Sequence, residues 1–190
     1  MRKAFFPVSL NLDGRLCVVI GDDREAVEKA AALEESGAKV RRLLDPQSLE
    51  DDDVIDAFFV ISTPQNEALS ARLRALADRH RFMLCCIDQP AYGFVAMTAI
   101  AQAGPVRVAI STAGLAPRVG KKLKEALQRA MDANFAAFVA QLARRRESVR
   151  EAHPRPEESQ IRRSDAIEAA EGFEADVAFR YPQWFRDGNR

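Results

Sequence analysis

The sequence has few of the residues that make metal or disulfide sites. It contains three cysteines and two histidines among 190 residues. His80 and His153 lack cysteine neighbours at a ligand-like spacing, so we expect no structural metal site. Cys17 lies in an apolar run, and Cys85 and Cys86 are adjacent, which is typical of buried thiols rather than of a disulfide framework. This cysteine usage favours a reducing, cytoplasmic compartment.

Net charge is also absent, because 28 basic residues balance 28 acidic ones. A neutral chain indicates neither a nucleic-acid partner nor a membrane surface. No stretch approaches the roughly 18 apolar residues that span a bilayer. Residues 1–7 have a basic start but no long apolar core, so we expect no signal peptide. The 47% hydrophobic content is ample for a packed core.

Short apolar runs alternate with amphipathic stretches through the first half of the chain. Strands are predicted at residues 15–20, 38–44, 57–61, 82–87, 95–100 and 106–110, and helices at 24–36 and 67–80. Strands and helices in this order indicate an open, mostly parallel sheet. The second half differs, with a helix predicted over 119–149, a break at 153–156 and a further helix from near 157. We expect the aromatic residues of 179–185 to dock on another surface.

The stretch after the first strand resembles a dinucleotide-binding turn with one departure. Gly21 and Ala26 occupy the first and third positions of the glycine fingerprint, while Asp23 replaces its second glycine. Two like charges about 4 Å apart repel by about 4 kcal/mol at an effective dielectric of about 20. An ionised Asp23 therefore conflicts with a phosphate unless it turns away or caps the helix.

Four stretches together identify a family. Residues 6–15, 18–30, 84–90 and 108–117 resemble the opening, the glycine turn, a strand ending in aspartate and the serine/threonine-glycine-proline signature of one family. The chain is similar to the precorrin-2 dehydrogenase and sirohydrochlorin ferrochelatase family, the dehydrogenase module of siroheme synthase. Each motif alone is weak, and their common order and spacing carry the resemblance.

The resemblance implies the fold, the assembly and the activity. It implies an α/β, Rossmann-like nucleotide-binding domain over 1–115, followed by a helical dimerisation and C-terminal region over 116–190. It also implies a homodimeric enzyme that oxidises precorrin-2 to sirohydrochlorin with NAD. The chain departs from the family at Cys85, where a polar asparagine is common. Residues 44–57 look too short for the extra strand expected there.

Residues at the predicted strand ends are the candidates for holding the cofactor. They are Gly21, Asp22, Asp23, Arg24, Asp45, Ser62 and Thr63. Asp45 lies where an acidic residue can accept from an adenosine ribose hydroxyl, and a turn-forming Asp-Pro pair explains it equally well. Ser62 and Thr63 are expected on the nicotinamide side, because open α/β sheets bind ligands at the carboxyl ends of their strands.

Asp88 is the candidate catalytic residue. Oxidation of precorrin-2 removes a hydride and protons, so a carboxylate beside the macrocycle can serve as general base. Family members carry an aspartate here, and the resemblance extends that role to Asp88. The alternative is a carboxylate that starts the turn before Gln89 and Pro90.

Thr112, Arg118 and Lys121 are the candidate substrate contacts. The substrate is a polycarboxylate, so binding it requires cationic and hydroxyl groups. A solvated helix face and a turn-stabilising hydroxyl explain the same residues.

Two other functions remain open from the sequence. One is a degenerate tetrapyrrole-binding or assembly module that kept the fold and lost the cofactor, which the pair Asp22 and Asp23 favours. The other is a sirohydrochlorin ferrochelatase that keeps Asp88 and uses no nucleotide.

Overall fold

The structure, a computed structural model, describes residues 5–187. Its described part forms two compact units, one of the residues up to Ile100 with Ala109–Lys124, the other of Ala101–Val108 with the residues from Glu125 onward. The division between a nucleotide-binding domain over 1–115 and a helical region over 116–190 stays a prediction. Within residues 5–187, no helix combines the length and the apolar character that crossing a membrane requires.

The first unit is built on a parallel sheet, as the alternating pattern predicts. Its four strands are β1 (Leu16–Ile20), β2 (Lys39–Leu43), β3 (Phe59–Ser62) and β4 (Met83–Cys86). They lie in the order β2-β1-β3-β4, and every neighbouring pair is parallel. Residues of β1, β3 and β4 are almost all buried, which explains their continuous apolar runs.

Two helices cover the two faces of this sheet. Helix α1 (Arg24–Glu35) buries Ala26, Ala30 and Leu33 against the face that carries Cys17, Val19, Phe59, Ile61 and Cys85. Helix α2 (Glu67–His80) buries Leu69, Leu73 and Leu76 against the face that carries Val18, Ile20, Val60, Leu84 and Cys86. Full burial of a Leu side chain stabilises the folded state by roughly 1.5–3 kcal/mol. The layered core fixes the strand ends at which the site lies.

Both ends of α1 follow from the sequence. Asp23 is the N-cap, with its side chain accepting from the Ala26 amide. At the other end, the Gly37 amide donates to the Glu34 carbonyl and the Ala38 amide donates to the Leu33 carbonyl. Gly37 has φ +83°, a left-handed conformation that glycine adopts without a side-chain clash.

The segment between β2 and β3 contains no strand. It holds two 3₁₀ turns, Pro46–Ser48 and Asp51–Asp53. Arg72 from α2 ties this segment down, since its guanidinium donates to the Leu49 carbonyl at 3.0 Å and to Asp51 at 2.5 Å. The described parallel sheet therefore has four strands, with β2 at its edge, as the short length of residues 44–57 indicates.

Two further strands, β5 (Ala99–Ala103) and β6 (Val106–Ile110), form a separate two-stranded sheet around the turn at Gly104. The next helix, α3 (Pro117–Ala130), begins at the proline of the family signature. The prediction of one helix over 119–149 is wrong, because α3 ends at Ala130 and α4 (Ala133–Ala152) starts anew. The cause is Asp132, whose side chain accepts from the Phe135 amide and caps α4.

The second unit contains α4, α5 (Ser159–Ala169), a 3₁₀ turn at Pro156–Glu158, and α6 (Gln183–Asp187). Phe173 stacks on Phe138 with ring centroids 5.3 Å apart and lies 6.1 Å from Phe135. Near the other end of this unit, Trp184 and Phe185 form an edge-on pair at 5.8 Å, yet Trp184 is 75% exposed. The docking predicted for these tail aromatics therefore stays a prediction.

Candidate functional site

The parallel strands of the first unit bring the candidate residues to one edge of the sheet. Gly21 directly follows β1 and Thr63 directly follows β3, while Asp45 and Asp88 are the second residues after β2 and β4. Carboxyl ends of parallel strands share an edge, and this is where open α/β sheets place their ligands. The topology therefore gathers these candidates at one edge.

Gly21 makes the tight turn from β1 to α1. Its φ is +128°, and its amide donates to the Leu43 carbonyl at 2.9 Å. A Cβ at this residue would collide with Oγ1 of Thr63 and would lie 3.5 Å from Cβ of Ala26. Only glycine fits here, and the close approach that demands it is to Thr63 of the same chain.

Asp23 caps α1 and is held by two donors. Its Oδ1 accepts from the Ala26 amide at 2.8 Å, and its Oδ2 accepts from Oγ1 of Thr63 at 2.5 Å. The Thr63 hydroxyl and the Ala26 amide hold the pKa of the Asp23 carboxyl below its usual range. Asp23 is thus a carboxylate at neutral pH, placed at the first turn of α1.

The two residues beside Asp23 are exposed. Asp22 adds a second acidic side chain to the turn. The Arg24 guanidinium donates to Glu28 at 2.7 Å, one turn along the same helix. This ion pair is well exposed, so it adds little to stability. Arg24 is directed along α1.

The other candidate cofactor residues have different surroundings. Asp45 accepts from the Gln47 amide at 2.9 Å and caps the 3₁₀ turn that follows, which is the turn-forming role weighed from the sequence. Ser62 is fully buried, and its Oγ has no hydrogen-bond partner among the described residues. Ser62 pairs in register with Ile20 and Cys86.

Asp88 is exposed and stands in a left-handed conformation, with φ +57°. Its Oδ2 accepts from Nε2 of Gln65 at 3.2 Å. The next residue, Gln89, accepts from the Ser70 hydroxyl at 2.6 Å and so fixes the turn to α2. The carboxylate is therefore positioned by its backbone and by an amide donor, and it stays open to a substrate.

The thiols before Asp88 point into the two cores. Cys85 packs on the α1 side and Cys86 on the α2 side. Burial raises the pKa of the Cys85 thiol to about 11 and also raises the pKa of Cys86. Neutral thiols buried in this way are poor nucleophiles, which supports their assignment to packing.

The candidate substrate contacts lie before and on α3. Thr112 is half-buried, and its Cγ2 lies 3.3 Å from where a Cβ of Gly120 would be. Arg118 and Lys121 are exposed in the first turns of the helix. The described contacts of Thr112 are with its own loop and with α3, and those of Asp88 are with Gln65. The described hydrogen bonds thus pair Asp23 with Thr63 directly, and none of them joins a predicted substrate residue to Asp88.

Known proteins share this architecture. Residues 8–99 match a family described as "Putative NAD(P)-binding". A siroheme synthase of Xylella fastidiosa is 29% identical over 172 residues, which are 80% of this chain and 36% of that protein. A precorrin-2 dehydrogenase of Bacillus subtilis is 25% identical over 154 residues, 72% of this chain and 94% of that protein.

This chain is similar to precorrin-2 dehydrogenases and to siroheme synthases. The family resemblance predicted from the sequence is confirmed. The solved structure of SirC, precorrin-2 dehydrogenase, superposes with a TM-score of 0.68 at 16% identity, covering 88% of this chain and 90% of that one. It confirms the Rossmann-like α/β fold. The chain spans about a third of the length of the siroheme synthases it matches.

The turn after β1 fits a dinucleotide in part. Gly21 and the strand-end edge have the required backbone. The phosphate does not fit while Asp23 stays in place, because Asp23 already takes the Ala26 amide and carries a negative charge. A nicotinamide cofactor agrees with the description of the matched family. The Asp23 carboxylate does not agree with a pyrophosphate bound at this turn.

The sequence did not predict two neighbours of the candidate site. Gln65 donates to Asp88, and Ser70 donates to Gln89. A local signal existed for Gln65, which follows Ser62-Thr63-Pro64 at the end of β3 and so lies at the ligand edge. The pairing of Thr63 with Asp23 had no such signal, since 40 residues separate them.

Proposed function

We propose that this chain oxidises precorrin-2 to sirohydrochlorin with NAD as the hydride acceptor, in siroheme biosynthesis. The observation that carries the proposal is the family match over residues 8–99. These residues include the carboxyl ends of the parallel strands and the exposed Asp88. The proposal includes a homodimer, a cytoplasmic location and no nucleic-acid or membrane partner. Insertion of iron by the same chain is not part of it.

Asp88 is proposed as the general base. An exposed carboxylate at the end of β4 can accept a proton from a substrate carbon or nitrogen as the macrocycle is oxidised. The Gln65 amide, which donates to Oδ2, leaves Oδ1 without a described partner and orients the group. The nicotinamide would take up the hydride, and the protein's part is to hold the substrate and remove the proton.

Cationic and hydroxyl groups near α3 are proposed to hold the substrate carboxylates. Arg118 and Lys121 are exposed on the first turns of α3, where long side chains can reach a polycarboxylate. The Thr112 hydroxyl lies beside the start of the same helix. Asp45, Ser62 and Thr63 remain the proposed lining of the cofactor side.

A second function is favoured by one observation. The carboxylate of Asp23 accepts from the Ala26 amide and from the Thr63 hydroxyl, so this amide of the first turn of α1 has a partner without a bound phosphate. A tetrapyrrole-binding or assembly module that has lost the cofactor would have this turn.

Anaerobic incubation of the pure protein with precorrin-2 and NAD tests the two proposals. The dehydrogenase proposal expects the absorption spectrum of sirohydrochlorin to appear together with that of NADH, and expects neither without NAD. A change of the tetrapyrrole spectrum on binding, with no NADH formed, supports the binding module and contradicts the dehydrogenase. The Asp88→Asn variant is the matched control, since it keeps the shape and lacks the base.

A further inference from the structure

The first turn of α1 is occupied by a group of the protein itself. In a dinucleotide site, the free amides of this turn bind a phosphate, and the helix dipole favours its negative charge. Here Oδ1 of Asp23 takes the Ala26 amide at 2.8 Å. One carboxylate oxygen thus stands where a phosphate oxygen would accept.

The second oxygen of Asp23 is held from the neighbouring strand. Oγ1 of Thr63 donates to Oδ2 at 2.5 Å, and Thr63 is only 7% exposed. The backbone of Thr63 is itself fixed, since its amide donates to the Ile20 carbonyl at 3.0 Å. The carboxylate therefore accepts from one donor in the helix and from a second donor at the end of β3. An ordinary N-cap side chain accepts only from its own helix.

The surroundings do not offset the charge of this carboxylate. Asp22 is a second exposed acid in the same turn, and the Arg24 guanidinium is 2.7 Å from Glu28 rather than at Asp23. Gly21 cannot widen the turn either, because the space beside its Cα is filled by Thr63. A ligand phosphate entering here meets the negative charge of Asp22 and Asp23.

From this geometry we infer that Asp23 substitutes for a ligand phosphate, so that the turn discriminates against pyrophosphates and admits a dinucleotide only when Asp23 is displaced. The inference rests on the proposed function only in treating this turn as the dinucleotide site. It makes Asp23 the residue that determines cofactor affinity. A nucleoside without phosphates loses nothing by the presence of Asp23.

Binding of adenosine and of ADP, measured by titration calorimetry on the full chain, tests the inference. The wild type should bind ADP no more tightly than adenosine. Asp23→Gly should tighten ADP binding by about tenfold or more, because a like charge near the phosphates is removed. Adenosine affinity should change less than about twofold, since the charge repulsion does not act on it.

Two further variants keep the test decisive. Asp23→Asn retains a capping oxygen and removes the charge, so it should also gain ADP affinity if Asp23→Gly folds poorly. Asp132→Asn makes the same change at the N-cap of α4, where the Phe135 amide is the donor, and should leave both affinities unchanged. Thermal melts of each variant verify the fold.

Two results would overturn the inference. One is wild-type protein that binds ADP more than tenfold more tightly than adenosine. The other is an ADP affinity unchanged in both Asp23 variants. The proposed function is judged separately. If the wild type oxidises precorrin-2 and also binds ADP more than tenfold more tightly than adenosine, only the inference about Asp23 is contradicted. A wild type that does not oxidise precorrin-2, together with Asp23 variants that gain ADP affinity, contradicts the dehydrogenase alone.

Discussion

The Thr63 hydroxyl donates to the Asp23 carboxylate at 2.5 Å, joining the end of β3 to the start of α1. Replacing Thr63 by Val keeps the side-chain shape and removes this donor. A hydrogen bond to a charged group contributes about 1.5–3 kcal/mol, and the exposure of Asp23 puts this one near the lower figure. Urea denaturation of Thr63→Val at neutral pH should show a loss of about 1.5 kcal/mol in the free energy of unfolding.

The same pair predicts a pH dependence with a defined sign. The pKa of Asp23 is lowered on folding, so its contribution is present above the unfolded pKa of about 3.9. That contribution is lost as the pH falls through the lowered folded pKa. Stability of the wild type should drop below about pH 4, and Thr63→Val should drop less steeply in that range. Parallel curves for the two proteins would show that Thr63 does not shift this pKa.

Asp88→Asn tests the proposed base. Turnover of precorrin-2 should fall by roughly two to four orders of magnitude, the range for general acid–base catalysis. NAD affinity and melting temperature should change little, because the side chain is exposed and Asn tolerates φ +57°. Initial rates and a thermal melt on one preparation give both quantities.

Asp88→Ala adds a backbone effect to the chemical one. A left-handed conformation costs a non-glycine residue about 1–2 kcal/mol, and Ala lacks the side-chain hydrogen bond that helps Asp adopt it. Its stability should therefore lie slightly below that of the Asn variant. Full activity of Asp88→Asn excludes Asp88 as the base, whereas an unfolded Asp88→Ala favours the turn-starting role.

Gly21→Ala should destabilise the first unit more than Gly14→Ala does. Both glycines have positive φ, +128° and +67°. Strain in such conformations costs about 1–3 kcal/mol each. Only at Gly21 does the added Cβ also collide with Thr63, while at Gly14 nothing lies within 4 Å. Equal losses in chemical denaturation would contradict the close packing described at the β1 turn.

Cys85→Ala and Cys86→Ala should retain the wild-type rate of oxidation. Both side chains are buried in the cores, so the expected loss is in stability, about 1 kcal/mol for a small cavity. In the native protein at pH 8, neither thiol should react readily with a disulfide reagent, because burial raises both pKa values. A fall in rate for either variant would place the reacting centre earlier along the chain, before Asp88.

A two-fold dimer is predicted through Phe135, Phe138, Val139 and Leu142 of α4. In the structure all four are half-buried within the second unit, and Phe138 stacks on Phe173. The area left open on each is therefore available to a second copy. Light scattering at micromolar concentration should give twice the chain mass, and Val139→Glu should reduce it. A folded wild-type monomer would rule the dimer out.

Sequence pattern was sufficient wherever local chemistry decides the structure. Helix α2 spans Glu67–His80, the predicted range, because Asn66 caps one end and Arg81 leaves the helix in a left-handed conformation at the other. The break between α3 and α4 was missed. Both flanking stretches are rich in helix formers, and a single Asp132 decided the outcome through its own side chain.

The side-chain contacts of the candidate site were harder to predict from the sequence than its position. Its position at the strand ends follows from topology, and helix capping by Asp23 was one of two alternatives. The choice between them depended on Thr63, which reaches Asp23 only once β1 and β3 are paired. A hydrogen bond between residues this far apart in the chain produces no periodic pattern in the sequence. The roles of Asp88, Thr112 and Arg118 stay predictions.

The short segment between β2 and β3 has a consequence for solubility. With no described strand beyond it, β2 presents an open edge that another chain could extend. Its sequence, Lys39-Val40-Arg41-Arg42-Leu43, places three cations along that edge, and all three are exposed. Arg41 also donates to the Asp53 carbonyl at 3.1 Å, which draws the 3₁₀ turn toward the strand. Repulsion between like-charged strands and this partial cover therefore oppose the addition of a strand from another chain at β2.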